Sequence, residues 1–287
     1  RRPPRSTPLS LHDALPISGN VSGLSATRSI TVDTAAPNAP VVTGLSSATD
    51  TGSSTSDGLT GNNQPVIVGT AEAGSTVTVY VDGVAVGTTT ANGSGAWSYA
   101  LSTALADGNH SLRATATDAA GNVSGTSSVR GITVDTVSPN APVVVGLSPT
   151  TDTGSSASDG ITGNNQPVIV GTAEAGSTVT VYVDGVAVGT TTANGSGAWS
   201  YALSAALADG NHSLRATATD VSGNVSGLSA ARSITVDTAS PNAPVVTGLS
   251  SATDTGSSTS DGLTGNNQPV IVGTDRKGTR LNASHHH

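Results

Sequence analysis

The sequence predicts an all-β protein of tandem antiparallel β-sandwiches. Three observations carry this: an internal repeat of 102 residues, apolar residues in strict alternation, and turn chemistry between the alternating runs.

The repeat sets the frame. Trp97 returns as Trp199, and Pro37-Asn38-Ala39-Pro40 returns at Pro139 to Pro142 and at Pro241 to Pro244, always 102 residues on. Residues 35–136 and 137–238 differ at 14 positions and are identical at 88. A unit of this length is the size of one sandwich domain. The expected domains are therefore 37–138 and 139–240, preceded by the end of a truncated repeat at 18–36 and followed by the start of another at 241–274. Residues 1–17 and 275–287 match nothing in the repeat and hold six of the eleven Lys and Arg. They look like translated sequencing-adapter sequence, with an expression scar as the alternative. Both flanks are expected to be disordered and are set aside from the fold.

Alternation has period two. Val77, Val79 and Val81 alternate with Thr78 and Tyr80; Trp97, Tyr99 and Leu101 with Ser98 and Ala100; Leu112, Ala114 and Ala116 with Arg113 and Thr115. One face of each run is apolar and the other polar, as a half-buried antiparallel strand requires. Val66-Ile67-Val68 is apolar throughout and reads as a central strand. Asp82-Gly83 predicts a tight hairpin turn. Ala73-Gly74-Ser75, Asn92-Gly93-Ser94-Gly95, Asp107-Gly108-Asn109 and Ala119-Ala120-Gly121-Asn122 supply the other reversals. The result is seven strands near 40–46, 64–71, 76–82, 84–91, 96–103, 110–117 and 128–135. Seven short strands in about 100 residues read as an immunoglobulin-like sandwich, with Trp97 at the centre of its core.

Composition narrows the possibilities further. The chain has no Cys, Phe or Met, two Trp, four Tyr and 35 Gly. Small β-branched cores and many turns follow from that. Disulfides and thiolate metal sites are excluded. Residues 18–274 contain no Lys, so Lys–Asn isopeptide crosslinks are excluded as well. The same stretch has five Arg against seventeen acids, a formal charge of −12, which disfavours nucleic acid and anionic membranes as partners. No apolar run approaches the roughly 20 residues of a membrane-spanning helix.

The strings GTAEAGSTVTVYVDG, GAWSYAL, LADGNHSLRATATDAAGNVSG and ITVDTVSPNAP resemble the immunoglobulin-like repeats of giant bacterial surface adhesins, the biofilm-associated and type-I-secreted kinds. The resemblance covers residues 18–274. It implies an extracellular, cell-surface location and a row of domains that projects a distal binding region toward a host-cell or biofilm-matrix ligand. It also implies calcium at domain junctions. No string resembles an adhesive tip, a secretion signal or a wall anchor.

Catalysis finds no support in the residues, and no enzyme is expected. His110, the sole His of its repeat, lies at a turn, and abundant Ser makes any Ser–His proximity uninformative. The acids are more telling. In the first repeat they are Asp50, Asp57, Glu72, Asp82, Asp107, Asp118 and Asp135. Asp82 and Asp107 suit tight turns. Strand parity places Asp50, Asp57 and Asp135 at one pole, and Glu174 and Asp220 at the opposite pole of the next repeat. Carboxylates crowded at such a junction call for a cation, and calcium accepts this kind of flexible oxygen cage. The candidate ligands are Asp50, Asp57, Asp135 and Asp220, with Asp152, Asp159 and Asp237 one repeat later. The alternative is a polar loop that only keeps the domain soluble. The expected function is a structural stalk whose partners are its own neighbouring repeats. Alternatives are a glycan- or host-protein-binding module, for which Tyr80 is the one candidate ring, and an accessory domain of a secreted enzyme.

Overall fold

The computed structural model describes residues 23–274 and the backbone of 280–283. Residues 23–40 carry no regular secondary structure, and the first repeat then builds eight strands. They are β1 Val41–Leu45, β2 Leu59–Thr60, β3 Val66–Thr70, β4 Thr76–Val81, β5 Val84–Thr90, β6 Ala96–Ala100, β7 Gly108–Thr117 and β8 Arg130–Val134. Seven correspond to the expected strands. The eighth, β2, has only two residues, too few for alternation to reveal.

These strands form two sheets, one in the order β1-β3-β6 and one in the order β2-β8-β7-β4-β5. All pairings are antiparallel except β2 with β8, which is parallel, Leu59 facing Thr133 and Thr60 facing Val134. Val77, Val79, Val81, Leu112, Ala114, Ile132 and Val134 of the larger sheet meet Val42, Leu45, Ile67 and Trp97 of the smaller one in a single buried cluster. Trp97 is 4% exposed and fills the centre as expected. Tyr99 also turns inward, its hydroxyl donating to Val86 O at 2.7 Å. The Asp82-Gly83 hairpin has positive φ at both residues, 51° and 81°, the geometry that makes Asp-Gly the preferred two-residue turn.

The stretch after β7 shows how a Ser-rich sequence enters a core. Ser124 Oγ accepts the Ala116 amide at 2.8 Å and Ser127 Oγ the Ala114 amide at 2.9 Å. Each hydroxyl donates onward to a backbone carbonyl, so the two buried serines replace a missing neighbouring strand on that edge of β7.

The second repeat returns the same strands 102 residues later: β9 Val143–Leu147, β10 Ile161–Thr162, β11 Val168–Thr172, β12 Thr178–Val183, β13 Val186–Thr192, β14 Ala198–Ala202, β15 Gly210–Thr219 and β16 Arg232–Val236. The third copy contributes β17 Val245–Leu249 and β18 Ile271–Thr274, followed by β19 Arg280–Ala283. The described chain divides into two compact units that do not follow the repeat frame. Of the described residues, the first comprises 23–146, 168–202 and 213–233, the second 147–167, 203–212, 234–274 and 280–283. In the first unit β12 pairs with β13 and β15, and β11 with β14, in the registers of the first repeat. In the second, β10 pairs in parallel with β16, and β18 lies between β17 and β19. Of the C-terminal flank expected to be disordered, residues 280–283 thus form a strand: Ile271 to Thr274 offer an edge, and backbone pairing does not depend on side-chain identity. The rest of both flanks lies outside the described residues.

Candidate functional site: the seam between repeats

Within the first unit, the loop between β1 and β3 and the end of β8 meet the turn after β15. That turn is Asp220-Val221-Ser222-Gly223-Asn224. Asp220 organises it from inside: its Oδ1 accepts the amides of Ser222 and Asn224, both at 2.9 Å, and its Oδ2 accepts Asn224 Nδ2 at 2.9 Å. An Asx turn of this kind presents the carbonyls of Val221 and Ser222 outward. The preceding repeat supplies the donors. Thr51 Oγ1 reaches Ser222 O at 2.6 Å, the Gly61 amide reaches the same oxygen at 2.9 Å, and the Ser53 amide reaches Val221 O at 3.3 Å.

Asp135, the last acid of the first repeat, receives two donors in return. Asn224 Nδ2 donates to its carbonyl at 2.7 Å and Ser222 Oγ to its Oδ2 at 3.1 Å. Its Oδ1 caps the Val137 amide at 3.1 Å, which fixes the start of the proline linker. Asp107 holds the neighbouring linker residue, accepting both the amide and the hydroxyl of Thr136. Ser222 is fully buried here. Glycine makes this approach possible: a Cβ on Gly61 would stand 2.6 Å from Asn224 Oδ1, and one on Gly52 would collide with Val221 O. One element recurs upstream, where Asn122 Nδ2 donates to Asp33 O at 3.1 Å while Asp118 holds the same turn. Asn122 holds the Asp118 carboxylate below the usual range, with amide hydrogen bonds in support.

The other candidate ligands take different places. Asp57 Oδ1 accepts the Leu59 amide at 2.9 Å in an exposed turn. Asp50 is 1% exposed; its Oδ2 accepts the Gly58 amide at 3.1 Å, while its Oδ1 has no hydrogen-bond partner. Burial pushes its pKa up, partly opposed by the Gly58 hydrogen bond and by the charge of Arg130, while Asp57 adds to the rise. Arg130 lays its guanidinium over Gly44, where a Cβ would lie 3.5 Å from Nε. Gly44, at φ 141° in a bulge of β1, leaves that space open. In the second unit Asp152 repeats the Asp50 arrangement with Gly160, while Asp159 and Asp237 cap the amides of Ile161 and Ala239. Among the described residues, no three His, Asp or Glu side chains gather closely enough to hold a metal ion. Sequence reasoning thus located Asp135 and Asp220 on the two sides of one seam. It missed Thr51, Ser222 and Asn224, the neutral groups that join them, although the Asp-x-x-Gly-Asn spelling was visible as a turn.

No Ser-His-Asp relay forms at His110. Ser111 Oγ donates to Asp82 Oδ1 at 3.1 Å rather than to the ring. Tyr80, the candidate glycan-gripping ring, is half-buried on the outer face of β4, opposite Arg113 of β7.

The bacterial Ig-like domain family matches residues 36–136 and 138–238, well over half of the chain. The chain belongs to this family. It describes an Ig-like fold rather than a catalytic one. No curated protein matches the chain. Among solved structures, these Ig-like repeats are similar to fibronectin(III)-like modules of Clostridium thermocellum CbhA (19% identity, 61% of this chain and 86% of that one, TM-score 0.38). They are also similar to a Ca2+-stabilized adhesin with which an Antarctic bacterium reaches out and binds ice (23% identity, 87% and 62%, TM-score 0.38). A 1.5-MDa bacterial ice-binding adhesin is a third (21% identity, 75% and 69%, TM-score 0.34). Among the described residues, no helix is long and apolar enough to cross a membrane.

Proposed function

We propose that this chain is a segment of an extracellular stalk, in which Ig-like repeats at 37–138 and 139–240 act as spacers of a bacterial surface adhesin. The observation that carries the reading is a buried, hydrogen-bonded seam between sandwiches that share 88 of 102 residues. Near-identity across whole domains keeps length constant from copy to copy, which a spacer needs and a binding site does not. Strands of up to ten residues plus loops give each repeat a reach of about 35–40 Å. The array would hold a distal region, binding a host-cell or matrix ligand, away from the cell. Pulling the chain by single-molecule force spectroscopy tests this: two equal unfolding steps of one repeat each are expected, and a chain that extends without resistance would refute the spacer.

Calcium enters the reading as a stiffener. Asp135 and Asp220 stand on opposite sides of the seam, linked through Ser222 and Asn224. An ion there would draw on these two carboxylates and on outward carbonyls, with Asp57 as a further acid of the same loop. Asp152, Asp159 and Asp237 provide the equivalent groups one repeat later. The expected dissociation constant is on the order of 10⁻⁴ to 10⁻³ M, as for extracellular modules. Calorimetry of the full chain with calcium or chelator decides it: a higher melting temperature with calcium supports the role, and superimposable traces remove it.

A further inference from the structure

Two of the 14 positions at which the repeats differ fall on the seam turn, where Ala119-Ala120 of the first copy becomes Val221-Ser222 of the second. Among the described residues, Ser222 Oγ is the one side-chain donor that crosses the seam to a carboxylate, at 3.1 Å from Asp135 Oδ2. Ala120 has no donor to offer Asp33, the residue equivalent to Asp135, although Asn122 reaches the Asp33 carbonyl just as Asn224 reaches that of Asp135. The two turns are otherwise held alike, by Asp118 and by Asp220.

We infer that the third residue of each Asp-x-x-Gly-Asn turn, Ala120 or Ser222, sets how firmly a repeat docks on the one before it. The partner of this surface is the preceding repeat of the same chain, recognised through its last-strand aspartate and the Thr51–Gly61 loop. Asn supplies the same contact to a backbone carbonyl in both turns, from Asn122 to Asp33 and from Asn224 to Asp135. The hydroxyl adds a hydrogen bond to a charged acceptor, the stronger kind. A serine there gives a tight joint and an alanine a looser one, so an array carries its joint stiffness at one position per repeat. The inference rests on the stalk reading for its biological meaning but on the seam geometry alone for its physics, and it needs no metal.

The test is amide hydrogen exchange on the full chain in chelator, read at Ser53 and Gly61, whose amides donate across the seam. Ser222→Ala is expected to speed exchange at both by about tenfold, the effect of losing one charge-assisted hydrogen bond. The amides of Val79 and Ala114, deep in the first core, serve as controls and stay unchanged. Asp135→Asn should have a similar effect, and the double variant should add little to either single one. Unchanged exchange at Ser53 and Gly61, or fully additive effects, would overturn the inference. Faster exchange at the control amides identifies general destabilisation and counts against it as well. The spacer reading fails separately, in the pulling experiment.

Discussion

His110 Nδ1 lies 2.7 Å from Asp82 Oδ2, and its Nε2 lies 2.8 Å from the carbonyl of Ala106. Both neighbours are acceptors, so only the doubly protonated ring satisfies both contacts. The Ala106 carbonyl, then Asp82, raise the His110 pKa above 6.5, while the Ser111 amide, then His110, lower that of Asp82 below 3.8. Asp107, the other acid nearby, is engaged by Thr136.

The pH dependence follows from these directions. The raised His110 contributes stability that is complete below pH 6.5 and is lost as pH climbs through its folded value. The lowered Asp82 contributes above pH 3.8, and that part is lost as pH falls through its folded value. The melting temperature should therefore be highest in between and decline from pH 6 toward 8. His110→Gln with His212→Gln should flatten the decline; an equally steep curve in that variant would assign it elsewhere.

Arg130→Ala should destabilise the first repeat, because the guanidinium that packs over Gly44 is lost and with it a positive charge that favours the buried Asp50 carboxylate. Asp50→Asn combined with Arg130→Met should recover most of that loss. Urea unfolding of both variants measures the difference, and a milder Arg130→Ala than the double variant would contradict the pairing.

Ser127→Ala is chemically small, yet it removes the acceptor of the Ala114 amide in a buried setting. A loss of about 1–3 kcal/mol is expected. Ser128→Ala, at an exposed neighbour, should be nearly silent and serves as the comparison in the same denaturation series.

Trp97→Ala should remove about 3–5 kcal/mol from the first repeat through the cavity it leaves. With Trp199 intact, thermal unfolding should split into two transitions. A single shared transition would instead mean that the seam couples the repeats more strongly than either core holds itself.

Much of this was legible in the residues because it is local. Val77 to Val81 and Leu112 to Ala116 announce their inward faces by alternation, and Asp82-Gly83 announces its turn. Trp97 was readable as a core residue because it is the one Trp of its repeat and alternates with Ser98 on the apolar face of its run. Arg130 was not: its value depends on the open space over Gly44 and on Asp50, eighty residues earlier. Nor was β2, since two residues have no period. Asp135 and Asp220 were placed at a common seam by strand parity, but what joins them depends on side-chain reach that spacing cannot express.

The parallel union of β2 with β8 gives the repeat a built-in order of completion. As a chain threads outward from its N-terminus, the Asp50 loop emerges early and has nothing to close on. The Leu59–Thr60 segment gains its partner only with Arg130–Val134, the last strand of the repeat. Closing the larger sheet of each sandwich thus depends on a strand that its own sequence supplies last.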